Sequence, residues 1–180
     1  MCIRDRTNHV IITSGSFGYS GAGLMILLKN KHCSKKFKAK AQRAVFRPNC
    51  RLMFGLKNKN YFSSSMDSSD GLSTTLNEMS CQSKKKFVIT TMPSENDVFD
   101  FADSNKLNPN ELILNSGEEY EIVATTSMSN LPSVRKYAKK HRIKLYEIGY
   151  VAKGRGVFYK KNRKLIRIKD GGWQHLRNHA

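Results

Sequence analysis

No apolar run in this chain is longer than Ala22–Leu28. A helix that crosses a bilayer needs about 20 consecutive apolar residues, so no membrane-spanning helix is expected, and no signal-peptide pattern precedes the run. Any core must therefore be assembled from many short elements. The 180 residues suffice for one domain with a real interior, because a chain of that size buries roughly 70% of its unfolded surface. With 39% hydrophobic residues, nine Phe and seven Tyr, the chain is too apolar and too aromatic for a disordered tail.

The first six residues, MCIRDR, read as a non-native leader, which leaves 7–180 as one domain entered in the middle of a larger protein. The apolar run His9–Thr13 predicts a strand, and the glycine-rich stretch Ser14–Gly23 a turn into a helix that carries Leu24–Leu28. Residues 29–43 are basic with few structure signals and read as an exposed helix end and a loop. Pro48 suits a helix start, and Leu52, Met53 and Leu56 recur at helical spacing within Arg51–Lys57. Phe62–Asp67 and Lys86–Thr90 read as strands around a helix whose apolar face is Leu72, Leu76 and Met79. Ser94 is a candidate cap for a helix with Val98, Phe99 and Ala102 inward. Glu119–Ala124 and Leu145–Val151 read as strands flanking a helix over Pro132–Lys140 with Val134, Tyr137 and Ala138. Short strands near Val157–Tyr159 and Leu165–Ile168 follow. Helices and strands mix without strict alternation, so the expected fold class is α+β, a mainly antiparallel sheet with packed helices.

A net charge of +18 would suit a polyanion binder, but the charge is segregated. Lys and Arg against Asp and Glu number 13 and 1 in residues 1–60, 4 and 11 in 61–130, and 15 and 2 in 131–180. An acidic centre flanked by cations suits a site for magnesium and a nucleotide, although a Lys-rich solvated face explains the flanks equally well. Cys2, Cys33, Cys50 and Cys81 form no Cys-x-x-Cys pair, which argues against a zinc ribbon or redox motif and for free thiols in a reducing cytosol.

The sharpest local signal is Ser65-Met66-Asp67-Ser68-Ser69-Asp70-Gly71-Leu72, two carboxylates and a hydroxyl where a strand passes into a helix. Free N–H groups at a helix start donate to phosphate oxygens, and carboxylates three residues apart can hold the magnesium that bridges them. A simpler role is helix capping by Ser69 or Asp70. Two further clusters are Asn115-Ser116-Gly117-Glu118-Glu119-Tyr120-Glu121 and Gly171-Gly172-Trp173-Gln174-His175. Singly, these are equally consistent with solvated acids, a packed Trp and a hydrogen-bonded His. The glycines at 15–23 lack the Gly-Lys-Ser/Thr ending of a Walker loop and read first as turn and packing positions.

Taken together and in order, the clusters resemble the C-terminal half of thiamine-monophosphate kinases, within the aminoimidazole ribonucleotide synthetase-like superfamily. The resemblance covers nearly the whole chain after residue 6. It rests on the glycine turn Thr13–Gly18 with Ser20–Leu24, on Arg47-Pro48, on Asp67–Leu72 as an Asp-x-Ser-Asp-Gly-Leu signature, on Gly117–Glu121 as a Gly-Glu-Asp-Tyr-Glu turn, and on Gly172–His175. It implies that Asp67 and Asp70 bind magnesium, that Ser69 touches ATP, and that Asn115 and Trp173 contact thiamine monophosphate. Asn115 stands where Ser is frequent, and Glu119 where Asp is usual. It further implies a cytoplasmic homodimer whose N-terminal domain, with more of the metal ligands, precedes the part seen here, so that this half is inactive alone. Two other readings remain open: another ATP-dependent synthetase of the superfamily, and a basic nucleic-acid-binding module built on Lys35, Lys36, Lys38, Lys40 and Arg43 with Lys139, Lys140 and Arg142. No RNP-type or helix-turn-helix pattern supports the latter, and no nucleic acid is expected as partner.

Overall fold

The computed structural model describes residues 5–172. In chain order they form β1 (Val10–Thr13), α1 (Tyr19–Lys29), α2 (Lys35–Phe46), α3 (Leu52–Asn58), β2 (Phe62–Asp67), α4 (Leu72–Ser83) and β3 (Lys86–Ile89). There follow α5 (Asn96–Ser104), α6 (Pro109–Leu114), β4 (Ile122–Thr126), α7 (Leu131–Lys140), β5 (Tyr146–Ala152), β6 (Gly156–Lys161) and β7 (Lys164–Arg167). The strands join in one sheet, ordered β2-β4-β1-β5-β3-β6-β7. Every pairing is antiparallel except β3 with β6. The expected α+β class with a mainly antiparallel sheet therefore holds.

Successive strand side chains point to opposite faces, and both faces are used. Ile11 and Val123 enter a larger core with Leu76, Met79, Val98, Phe101 and Ile113 from the helices. Ile12 and Ala124, their chain neighbours, enter a smaller core with Phe54 of α3 and Leu131, Val134 and Ala138 of α7. The four-residue β1 thus lies mid-sheet between β4 and β5 and serves both cores.

One sequence expectation fails here. Residues 35–46, read largely as loop, are helix α2, capped by the Ser34 hydroxyl, which accepts the Phe37 N–H at 3.2 Å. Only Phe37 and Ala41 of this helix are buried, one turn apart, too sparse a stripe to register in a basic run. Phe37 stacks on Phe101 at 4.9 Å, and Gly23 lets α1 approach closely, since a Cβ there would lie 2.6 Å from the Ala41 carbonyl oxygen. The helix expected over Arg51–Lys57 is α3, though its apolar spacing does not mark the buried face. Leu52, Met53 and Leu56 are 66%, 55% and 51% exposed, and the anchor is Phe54, 2% exposed against Phe62 and Tyr137. Seven residues make barely two turns, so one aromatic contact outweighs the spacing of three smaller side chains.

Smaller corrections concern element ends. Pro48 precedes α3, whose N-cap is Arg51. Glu95 rather than Ser94 caps α5, while the Ser94 hydroxyl donates to the Phe17 carbonyl at 2.7 Å. Phe101 takes the buried place expected for Phe99, and α6 lies where no element was expected. β4 begins at Ile122, because Glu118 and Tyr120 hold positive φ, 63° and 52°, which ladder geometry forbids.

Phe54→Ala is expected to lower stability by about 3–5 kcal/mol, as deletions of buried aromatic rings do, whereas Leu52→Ser should stay within about 0.5 kcal/mol. Urea unfolding followed by circular dichroism measures both, and equal losses would contradict the outward face of α3.

Candidate functional site

Beyond the last β2–β4 rung, Asp67 opposite Ile122, the two chains stay hydrogen-bonded through their loops. The Ser68 N–H donates to the Glu121 carbonyl at 2.9 Å, the Tyr120 N–H to Ser68 at 3.1 Å, and the Glu118 N–H to Ser69 at 2.7 Å. The acidic turn at 67–70 and the turn at 117–121 are therefore one structure. Asp67 is exposed and Asp70 half-buried. Among the described residues neither carboxylate accepts a hydrogen bond or joins an ion pair. Ser69 is half-buried beside them, while the Ser68 hydroxyl is buried without a partner among the described residues.

The third cluster arrives at the start of α4. Asn115, which ends α6, accepts the Ser73 hydroxyl at 2.9 Å, and the same Ser73 oxygen accepts the Gly171 N–H at 3.2 Å. Asp170 accepts the Thr74 hydroxyl at 2.6 Å. Gly172 then presses so closely that a Cβ on it would lie 2.2 Å from the Asp70 carbonyl oxygen. The segment leading to Trp173 is therefore fixed on the first turn of α4; Trp173 and His175 themselves lie outside the described residues.

The predicted residues share this corner but not one cavity. Asn115 and Gly171 line a cleft of about 940 Å³ with Phe99, Tyr159, Lys161 and Arg167. Asp67 lines another of about 430 Å³ with Arg51, Leu52, Leu56, Tyr120 and Ile122. Among the described residues no three His, Cys, Asp or Glu side chains gather as a metal site, so Asp67 and Asp70 form at most part of one.

Behind the corner lies a network that sequence reasoning missed. The buried Glu121 carboxylate takes both Nε and a terminal nitrogen of Arg51 at 2.8 Å, and the Ser14 hydroxyl at 2.5 Å. No local pattern joins residues 14, 51 and 121, so only the fold reveals it. Glu119 accepts the N–H groups of Gly18 at 2.7 Å and Ser20 at 3.1 Å. These are the free amides at the start of α1, entered through Gly18 at φ 104°, a value few other residues adopt. The glycine turn is thus filled by the protein's own carboxyl group, which bears out its packing role.

Burial pushes the Glu119 carboxyl up to about 7, overcoming those hydrogen bonds, with the nearby Glu121 charge adding to the rise. The folded state therefore holds a proton there that the unfolded chain has lost above its ordinary value of 4.5. This contribution to stability is full below pH 4.5 and is lost as pH rises to 7. Glu95 and Asp97 run oppositely. Hydrogen bonds from Lys144 and Tyr146 hold Glu95 low; for Asp97, burial pulls upward but hydrogen bonds from Lys40 and Tyr19 prevail. Their contributions fade only at more acid pH. Glu119→Gln should accordingly flatten the decline in urea midpoint between pH 4.5 and 7, and an unchanged decline would place its origin elsewhere.

Residues 6–161 match the family model described as AIR synthase related protein, C-terminal domain. The chain is 52% identical over 173 residues to a thiamine-monophosphate kinase of Nitrosopumilus maritimus, covering 96% of this chain and 55% of that protein. It is 30% identical to that of Pyrococcus horikoshii, covering 93% and 50%. The chain spans about half the length of these relatives. A solved structure of AaThiL complexed with AMPPCP and TMP superposes with a TM-score of 0.78 at 28% identity, over 97% of this chain and 53% of the other. With the sheet order, the joined acidic turns and this match in hand, the chain belongs to the AIR synthase related family, whose C-terminal domain it represents.

Proposed function

We propose that this chain supplies the C-terminal part of a magnesium- and ATP-dependent kinase site that converts thiamine monophosphate to thiamine diphosphate in the cytoplasm, within a homodimeric whole protein. The observation that carries this reading is the pair Asp67 and Asp70, two carboxylates without a hydrogen-bond or ion-pair partner among the described residues, where β2 turns into α4. Their hard oxygen donors fit magnesium, which needs only one or two carboxylates beside phosphates and water. Magnesium, when bound, supplies charge neutralisation on the phosphate oxygens.

The chain's own residues then position the reactants. The Ser69 hydroxyl and the N–H groups opening α4 donate to ATP phosphate oxygens. The bonds from Glu118 and Tyr120 to Ser69 and Ser68 hold that turn in place before any ligand arrives. Asn115 binds thiamine monophosphate from the wall of the 940 Å³ cleft, and Trp173 offers an aromatic face after Gly172. The nearest support from a relative is the solved complex with AMPPCP and TMP.

The test supplies the part of the Nitrosopumilus relative that this chain does not span, fused ahead of residue 7. The fusion should form thiamine diphosphate from ATP and thiamine monophosphate, and Asp70→Asn should cost about 100-fold or more, since it removes charge from the metal position. Trp173→Ala should raise KM more than it lowers kcat, because stacking on a ring that does not react is largely uniform binding. Full activity of the Asp70→Asn fusion would remove the proposed metal role.

A further inference from the structure

The β6–β7 hairpin runs on past the strand beside it. β6 pairs with β3 only as far as Tyr159 opposite Ile89, whereas its pairing with β7 continues through Lys160 opposite Leu165 to Lys161 opposite Lys164. The end of the hairpin is therefore a two-stranded ribbon without a third strand among the described ones. Five of the eight residues from 160 to 167 are cations, Lys160, Lys161, Arg163, Lys164 and Arg167, and none is acidic. All five are exposed, and among the described residues none joins an ion pair. They are not the cations of α2 and α7, and they become contiguous only when the two strands pair, so no local pattern in the sequence announces them.

Two local costs are concentrated in this ribbon. Lys161 and Lys164 face each other directly across the ladder, and like charges so placed weaken a strand pair. The turn between them holds Asn162 at φ 47° and Arg163 at φ 65°, a two-residue loop in which glycine ordinarily takes the second place. A residue with a Cβ is strained there, and this one adds a further positive charge. An anionic partner offsets the crowding of charge. We infer that the ribbon is a docking surface for the phosphate backbone of double-stranded DNA. Side-chain alternation puts Lys161 and Lys164 on one face and Lys160 and Arg167 on the other, with Arg163 at the tip. The major groove admits a two-stranded ribbon and lines both of its faces with phosphates. A membrane surface meets one face only, and the exposed apolar side chains Leu165 and Ile166, being chain neighbours in a strand, point to opposite faces. Single strands are held on exposed aromatic platforms, whereas Phe158 and Tyr159 of β6 are half-buried.

The inference is independent of the proposed reaction and is tested without magnesium or ATP. In fluorescence anisotropy with a labelled DNA duplex of about 20 base pairs, the 180-residue chain should bind with an affinity that falls by about 100-fold or more between about 50 and 200 mM salt. Lys161→Glu should weaken binding by about tenfold yet raise the melting temperature, because it turns the repulsion across the Lys161–Lys164 rung into an attraction. Arg163→Gly should also lose affinity while gaining thermal stability, since glycine suits the turn. Opposite signs of the two effects separate a binding role from a folding one. Lys139→Glu, the same charge change at an exposed position of α7, should leave the affinity within about twofold. A loss with Lys139→Glu equal to that with Lys161→Glu reduces the binding to net charge and overturns the assignment, as does an affinity indifferent to Lys161→Glu. Binding of single-stranded RNA or of phosphatidylserine vesicles with none of the duplex overturns it as well.

Discussion

The bidentate pair between Arg51 and Glu121 holds the acidic corner to the rest of the molecule. A buried carboxylate is costly unless it is neutralised and hydrogen-bonded, and that of Glu121 meets the condition with partners from two distant segments. Its side chain takes Arg51 from the start of α3 and Ser14 from the end of β1, and its carbonyl takes Ser68 from the turn after β2. Ser14 passes the connection on, since its hydroxyl also accepts the Ile122 N–H at 2.8 Å. One residue thus fixes where α3 begins, where the acidic turn lies and how the central strand leaves the sheet.

Glu119, two residues earlier, works by the opposite rule. Glu121 faces a guanidinium, whereas Glu119 faces the Gly18 and Ser20 amides and the Ser20 side chain, and burial favours its proton. Neighbouring carboxyl groups in the same loop therefore meet opposite surroundings, a cation at Glu121 and a desolvated site at Glu119. Burial and the nearby Glu121 both raise the Glu119 carboxyl, whose oxygen stays on the α1 amides.

How much of this was legible in the sequence depended on the range of the interaction that decides each element. The strands around Ile11, Phe87 and Val151 and the helices with Leu76 and Val134 are fixed by local periodicity, and they were found. The turn residues Asp67–Gly71, Gly117 and Gly172 were found as clusters because close packing leaves a compositional mark. α2 is hidden because two buried residues define its face, while α3 is legible as a helix but not in its buried face, which Phe54 alone decides. The Ser14–Arg51–Glu121 network had no signature, since its members are separated by most of the chain. The family resemblance was legible for a different reason: it rests on the order of three clusters, each weak alone.

The position of β1 also has a consequence for synthesis. It comes first among the described strands, yet its ladder partners begin at Ile122 and Tyr146, so the apolar segment Val10-Ile11-Ile12-Thr13 has neither neighbour until most of the domain has left the ribosome. At common elongation rates that interval is on the order of ten seconds. Throughout it, the segment that becomes the middle of the sheet lacks both of its ladder partners, so the sheet can close only after β4 and β5 are made.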